Sequence, residues 1–152
     1  MKKINILLAF LLMFSLGSLA QKEEKFFSKN TKNAEKAYKK AKYSEAVMLF
    51  EKAYPKAKGT KEKGFICYHI AVSSQYINDT KKAKDYYERA LRFKYDNKQP
   101  DIYTNLAMLQ MQDAEYKQAK KNYELALKKN PKDELAKEGL KAVSQVNEIL
   151  AN

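Results

Sequence analysis

The sequence predicts an all-α protein, an α-solenoid of about three helix–turn–helix repeats followed by a C-terminal capping helix. Three observations carry this. The chain aligns on itself: Ala46, Phe50 and Ala53 recur at the same spacing as Ala83, Tyr87 and Ala90, and again as Ala119, Tyr123 and Ala126. The anchors Ala46, Ala83 and Ala119 stand 37 and then 36 residues apart. Only four glycines and three prolines accompany 45% apolar residues, a composition for ordered helices and against a disordered basic tail. A small residue, an aromatic four on and a small one three further share one helix face. The alanines let a neighbouring helix approach and the aromatic fills the space beside it. Units of this length cannot bury their apolar faces alone, so they stack.

From the start of the chain, Lys2 and Lys3 precede an apolar run from Ile4 to Leu16 broken only by Asn5. Small residues then end in Ser18-Leu19-Ala20 ahead of the polar Gln21-Lys22-Glu23-Glu24. That layout predicts a cleaved secretory signal peptide over residues 1–20. The run is short for a membrane span of about 20 apolar residues. No cysteine stands directly after it, which argues against a lipoprotein signal. Losing two lysines takes the formal charge from +12 to +10. The exported chain is then periplasmic or extracellular. Its one cysteine, Cys67, permits no internal disulfide, so packing between repeats must supply stability.

After a short segment at 21–27, the three units occupy about 28–60, 61–98 and 99–132, with the cap at 133–152. Helices are expected near 28–41, 44–57, 61–77, 80–93, 101–112, 115–129 and 132–150. Thr60, Thr80 and Asn130 are the expected N-caps, and Pro100 and Pro131 suit a first turn. Pro55 should end or kink its helix, and the stretch from there to Gly64 reads as a loop. The cap keeps Leu135, Leu140, Val143, Val146, Ile149 and Leu150 for its packing face, with Ala136 towards solvent.

The upstream halves agree less closely, with Ala34, Ala71 and Ala107 twelve residues before the anchors. On these residues the chain resembles the tetratricopeptide repeat (TPR) family. "YSEAVMLFEKAY", "TKKAKDYYERAL" and "YKQAKKNYELALKKNP" are similar to its second helices, and "YTNLAMLQ" to a first helix. The family's usual turn glycine is Ala41, Asn78 and Ala114 here, and its period of 34 is exceeded. The leader and array are also similar to the front end of Bacteroidetes-type envelope proteins. Those proteins continue into a β-propeller and an OmpA-like peptidoglycan-binding domain, and some serve type IX secretion and gliding. Neither later domain lies in these 152 residues, so no peptidoglycan binding is carried over.

The resemblance implies a concave groove lined by first helices, holding a protein or peptide partner. Its expected wall is Tyr38 from the first unit, Phe65, Tyr68, Val72, Gln75 and Tyr76 from the second, and Met108 and Met111 from the third. Ser28, Thr31, Glu35, Lys39, Asp101, Thr104 and Gln112 fall at related positions. Aromatic and methionine side chains suit adaptable apolar contact with a peptide or helix. The competing expectation is that "FICYHIAV" is buried on every side, or that the terminal helix fills the groove. Family members that grip C-terminal carboxylates carry lysines and asparagines where this chain has Thr31, Glu35, His69 and Asp101, so that clamp is missing.

No catalytic pattern emerges. His69 and Cys67 are the only residues of their kinds, and two positions apart on a helix they point about 200° apart. No phosphate loop or H-E-x-x-H pattern appears. The reading is therefore no enzyme, no cofactor and no metal, with Cys67 at a packing position. The lysine pairs 39–40, 81–82, 120–121 and 128–129 read as a solvated convex face. The alternative function is binding of an anionic envelope component through the summed positive field. Export argues against nucleic acid.

Overall fold

A computed structural model describes residues 27–151. The expected signal peptide at 1–20, and residues 21–26 after it, lie outside the described residues. Among the described residues seven α-helices follow one another: α1 Lys29–Lys39, α2 Tyr43–Ala53, α3 Gly59–Tyr76, α4 Thr80–Arg92, α5 Gln99–Gln112, α6 Tyr116–Lys129 and α7 Glu134–Ala151. Short 3-10 turns at Tyr54–Lys56 and Asp96–Lys98 join the pairs α1/α2, α3/α4 and α5/α6, and α7 lies on α6.

The repeated anchors are the places of closest packing. Ala46, Phe50, Ala53, Ala83, Tyr87, Ala90, Ala119 and Ala126 are wholly buried, and Tyr123 nearly so. Each of three apolar clusters takes both helices of one unit and the first helix of the next. The first joins Ala34, Ala46 and Phe50 to Phe65, Ile66 and Ile70. The second joins Cys67, Ala83 and Tyr87 to Ile102, Leu106 and Leu109. The third joins Ala107, Ala119 and Tyr123 to Ala136 and Val143. Helix α7 thus sits where a fourth unit's first helix would. Helices α3 and α5 serve two clusters each, which explains why "FICYHIAV" is apolar nearly all round.

The turn inside each unit closes in one way. Ala41, Asn78 and Ala114 have φ of 56°, 59° and 59°. Around Ala41, Lys42 N–H donates to Ala37 C=O (3.1 Å) and Ala41 N–H to Tyr38 C=O (2.8 Å). The same two bonds recur at Asn78 and Ala114, a Schellman closure without its usual glycine.

Several local expectations need correction. The N-caps that bond through their side chains are Ser28, Asp79 and Asp133, which accept from Thr31, Lys82 and Ala136 N–H groups, and not Thr60, Thr80 or Asn130; Lys58 precedes α3 without a side-chain bond. Asp79 and Asp133 are each the last polar residue before the helical turn, so the carboxylates displace their neighbours from that role. Pro131 lies in the turn before α7, while Pro100 does fall in the first turn of α5. Helix α3 begins at Gly59, so Gly64 lies inside it, buried, where an added Cβ would come 3.0 Å from that of Tyr95. The packing face of α7 is Ala136, Gly139, Leu140 and Val143. Ala136 is wholly buried, and Leu135, Ile149 and Leu150 are exposed. Within that face the Tyr123 ring fills the space opposite Gly139, where only a residue without a side chain fits.

Candidate functional site

Helix α3 builds the centre of the site. Its 18 residues place Tyr68, Val72, Gln75 and Tyr76 at helical spacing along one side. With Tyr38 from α1, Tyr87 from α4, and Asn105 and Gln112 from α5 they line a cleft of about 530 Å³. No lining residue carries a formal charge, in a chain where 32% of residues do.

Aromatic contacts hold the walls. Tyr76 stacks on Tyr43 at 4.2 Å between centroids and 7° between planes, and Tyr43 meets Tyr38 edge-on at 5.9 Å. Beneath Tyr38 and Tyr68 lies His69. Its ring stands 4.6 Å from Tyr38, 5.2 Å from Tyr68, 4.2 Å from Phe65 and 5.5 Å from Phe50. Its Nδ1 is buried without a hydrogen-bond partner. Burial, with the charges of Lys98 and Lys39, holds the imidazole's pKa down at about 3, so it is neutral at physiological pH. Burial likewise raises the pKa of the Tyr38 and Tyr68 hydroxyls above the ordinary phenol value, helped by neighbouring tyrosines and, at Tyr68, by Asp101. Both stay protonated hydrogen-bond donors. Tyr87 donates its hydroxyl to Gln75 Oε1 at 2.9 Å and so orients that amide.

Of the expected wall, Tyr38, Tyr68, Val72, Gln75 and Tyr76 come together in this cleft, joined by Gln112. Phe65 does not line it. At 3% exposure it belongs to the first core cluster, 4.7 Å from Phe27. Met108 and Met111 are half-buried against the third cluster instead. Thr31 and Thr104 are buried and bonded to Glu62 and Asp133, Ser28 caps α1, Glu35 pairs with Lys39, and Asp101 pairs with Lys98. The sequence reading missed Tyr87 and Asn105. Tyr87 was assigned wholly to packing, yet its hydroxyl end reaches the cleft. Asn105 stands fourteen residues before its anchor, as His69 does in the second unit, and aligning that row would have exposed it.

Cys67 is wholly buried, and burial pushes its thiol up to about 12. Elsewhere, Thr60, Lys61, Arg92, Phe93, Lys94, Tyr95 and Asp96 line a second cleft, of about 480 Å³, at the N-terminal end of α3. Among the described residues no group of three or more His, Cys, Asp or Glu comes together that could hold a metal ion. Nor is any helix there long and apolar enough to cross a membrane.

A sequence model of the tetratricopeptide repeat matches residues 66–97 and 100–133. Among solved structures, the first TPR of Spaghetti (RPAP3), bound there to the HSP90 peptide SRMEEVD, is similar at TM-score 0.65. Its identity is 21% over 81% of this chain and 91% of that one. The second TPR domain of human RPAP3, in complex with the HSP70 peptide SGPTIEEVD, gives 0.64 and 16% over 76% and 92%. The Yersinia enterocolitica type III secretion chaperone SycD, in complex with a peptide of the translocator YopD, gives 0.64 and 16% over 78% and 92%. At these identities the likeness is one of fold. No curated protein sequence matches the chain.

Proposed function

We propose that this chain, two stretches of which match the tetratricopeptide repeat, is an exported interaction module that holds a peptide or helix of an envelope protein in its concave cleft. One observation carries the reading: five residues from four different helices, Tyr38, Tyr68, Gln75, Tyr87 and Asn105, converge with Val72 and Tyr76 on one uncharged, tyrosine-rich hollow. Buried aromatics are the side chains that concentrate binding energy at interfaces. Similarly folded domains have been seen with peptides bound. Export and an envelope setting are supported by the leader pattern of Lys2-Lys3, the apolar run and Ser18-Leu19-Ala20.

A photo-cross-linking residue placed at Tyr76, which is 63% exposed at the rim, tests this in the native host. Cross-linking to a defined envelope protein, lost on Tyr68→Glu and kept when Lys120 and Lys121 become Glu, is the expected result. Equal cross-linking from Tyr76 and from the opposite Lys120 position would overturn the assignment. An anionic envelope component is a second reading, favoured by Lys61, Arg92 and Lys94 around one cleft. Binding there should weaken steeply with salt, whereas binding in the uncharged hollow should not.

A further inference from the structure

We infer that the cleft at the N-terminal end of α3 binds a phosphate monoester, carried on a sugar or a lipid headgroup, an inference that rests on the second, anionic reading above and not on the groove. Charge is the first ground. The tyrosine-lined cleft has no charged wall, and a third cleft, beside Tyr86, balances Lys81 and Lys82 with Glu51, Asp79 and Asp85. At the N-terminal end of α3, Lys61, Arg92 and Lys94 stand around one acid, Asp96, whose Oδ1 already accepts from Gln99 Nε2 at 2.5 Å. The first turn of α3 and the last of α4 meet here, and their dipoles oppose each other. Side chains therefore set the sign, with a net of two positive charges in the lining.

The second ground is that two of these cations are unclaimed and held in place. On α4, Lys82 pairs with Glu51 at 3.0 Å, Lys84 with Glu115 at 3.0 Å and Arg89 with Asp85 at 2.9 Å. Arg92 and Lys94 make no ion pair among the described residues. The turn that ends α4 fixes Lys94. Its φ is 52°, its N–H donates to Leu91 C=O at 2.9 Å, and Tyr95 N–H donates to Ala90 C=O at 3.2 Å. On either side Phe93 and Tyr95 pack against the second core cluster. The backbone carrying both cations is thus set before a ligand arrives, which spares ordering entropy on binding.

These features select among anions. A carboxylate brings two oxygens and one charge. A phosphate monoester brings three terminal oxygens and close to two charges at neutral pH. That matches the net charge of the lining and gives each cationic head an oxygen, with the fork of Arg92 suited to two. The volume of about 480 Å³ exceeds a bare ion and leaves room for the group that bears it.

The test titrates the full chain with glucose 6-phosphate, glucuronate and glucose, which carry a phosphate, a carboxylate and no charge on one kind of ring. A second arm mixes it with vesicles of phosphatidylcholine, alone or with one part in five phosphatidic acid. The phosphate-bearing probe should bind at least tenfold tighter than its carboxylate or neutral counterpart, and less tightly as salt rises. Arg92→Gln and Lys94→Asn should each weaken that binding about fivefold or more, the second chosen because asparagine tolerates the left-handed turn. Lys128→Gln and Lys129→Gln on α6 remove the same charge from the summed field and should leave it unchanged. Circular dichroism checks that each variant keeps native helicity. Capture of glucose 6-phosphate that depends on Arg92 and Lys94 places the phosphate on a sugar; capture only of phosphatidic acid vesicles, with the same dependence, places it on a lipid. Equal losses from the α4 and α6 variants would overturn the inference, because the summed field alone would then account for binding. If glucuronate binds as tightly as glucose 6-phosphate and depends on Arg92, the phosphate inference falls while the anionic reading stands. If no anionic probe binds, both fall.

Discussion

Thr31 donates its hydroxyl to the buried carboxylate of Glu62 at 2.6 Å, tying the first turn of α1 to the first turn of α3. At the same register one unit from the other end, Thr104 donates to Asp133 at 2.8 Å, tying α5 to the start of α7. Glu62 also accepts from Ser28 N–H (2.8 Å) and Lys58 N–H (2.7 Å). Burial pushes its carboxyl up, but these bonds together outweigh burial and bring it below the ordinary range. In the middle unit the position fifteen before the anchor is Tyr68, whose ring lies under the Lys98 ammonium at 6.0 Å and faces the cleft. The stitch is absent where the site opens.

Glu62→Gln should therefore destabilise the domain by about 1–3 kcal/mol, since one amide oxygen cannot serve three donors and its NH2 finds no acceptor. Thr104→Val should cost less, because Asp133 keeps its capping bond to Ala136 N–H. Urea denaturation of the two variants reads the order. A larger loss from Thr104→Val would contradict it.

The turns predict a gain instead. Ala41 and Ala114 sit at φ of 56° and 59°, where a Cβ crowds the backbone. Glycine there should raise stability by about 0.5–1 kcal/mol each, after allowing for its greater freedom in the unfolded chain. Asn78→Gly should gain less, for asparagine tolerates the left-handed region. Thermal melts of the three single variants test the ranking.

Much of the fold was legible because the small–aromatic–small face has one physical use, close helix contact, and all nine anchor positions are buried as that use demands. What was not legible depended on a partner's shape. Nothing within α7 says that Ala136 and not Leu135 is buried; which face α5 and α6 cover decides that. Thr80 and Asp79 are both good caps, and only the backbone chooses between them. In the site, the α3 residues follow from spacing alone. Met108 and Met111 stand in the rows of Val72 and Gln75, but α7 and α6 supply a cluster that takes them out of the cleft. Asn105 was missed because its row was represented by His69, which lies half-buried beneath the aromatic rings.

Gly139 gives the α6–α7 contact a direct test. A Cβ there would stand 2.1 Å from Tyr123 Cζ and 2.4 Å from Cε1, and Tyr123 is 3% exposed with little room to move. Gly139→Ala should destabilise by about 1–3 kcal/mol through overpacking, despite the better helix propensity of alanine. The cost should shrink when Tyr123 is first made Leu. A double-mutant cycle by chemical denaturation measures this, and additive effects would mean that the two residues do not touch.

His69 predicts a pH dependence whose sign follows from its burial. Unfolded, the imidazole takes up a proton near its ordinary pKa of 6.5; folded, it does so only near 3. Between those values the unfolded chain binds more protons, so stability rises with pH there. The contribution is fully present above about pH 6.5 and is lost progressively as the pH falls towards 3. Between pH 7 and pH 5 the loss should be about 2 kcal/mol. The carboxyl of Glu62 also weakens the fold in acid, but below its ordinary value of 4.5, so it leaves this window nearly untouched. His69→Leu keeps a side chain of similar size under Tyr38 and Tyr68 and removes the titration. Its urea midpoint should stay level from pH 7 to pH 5 while that of the natural sequence falls. Parallel slopes for the two proteins would show that the imidazole is not held neutral among the rings.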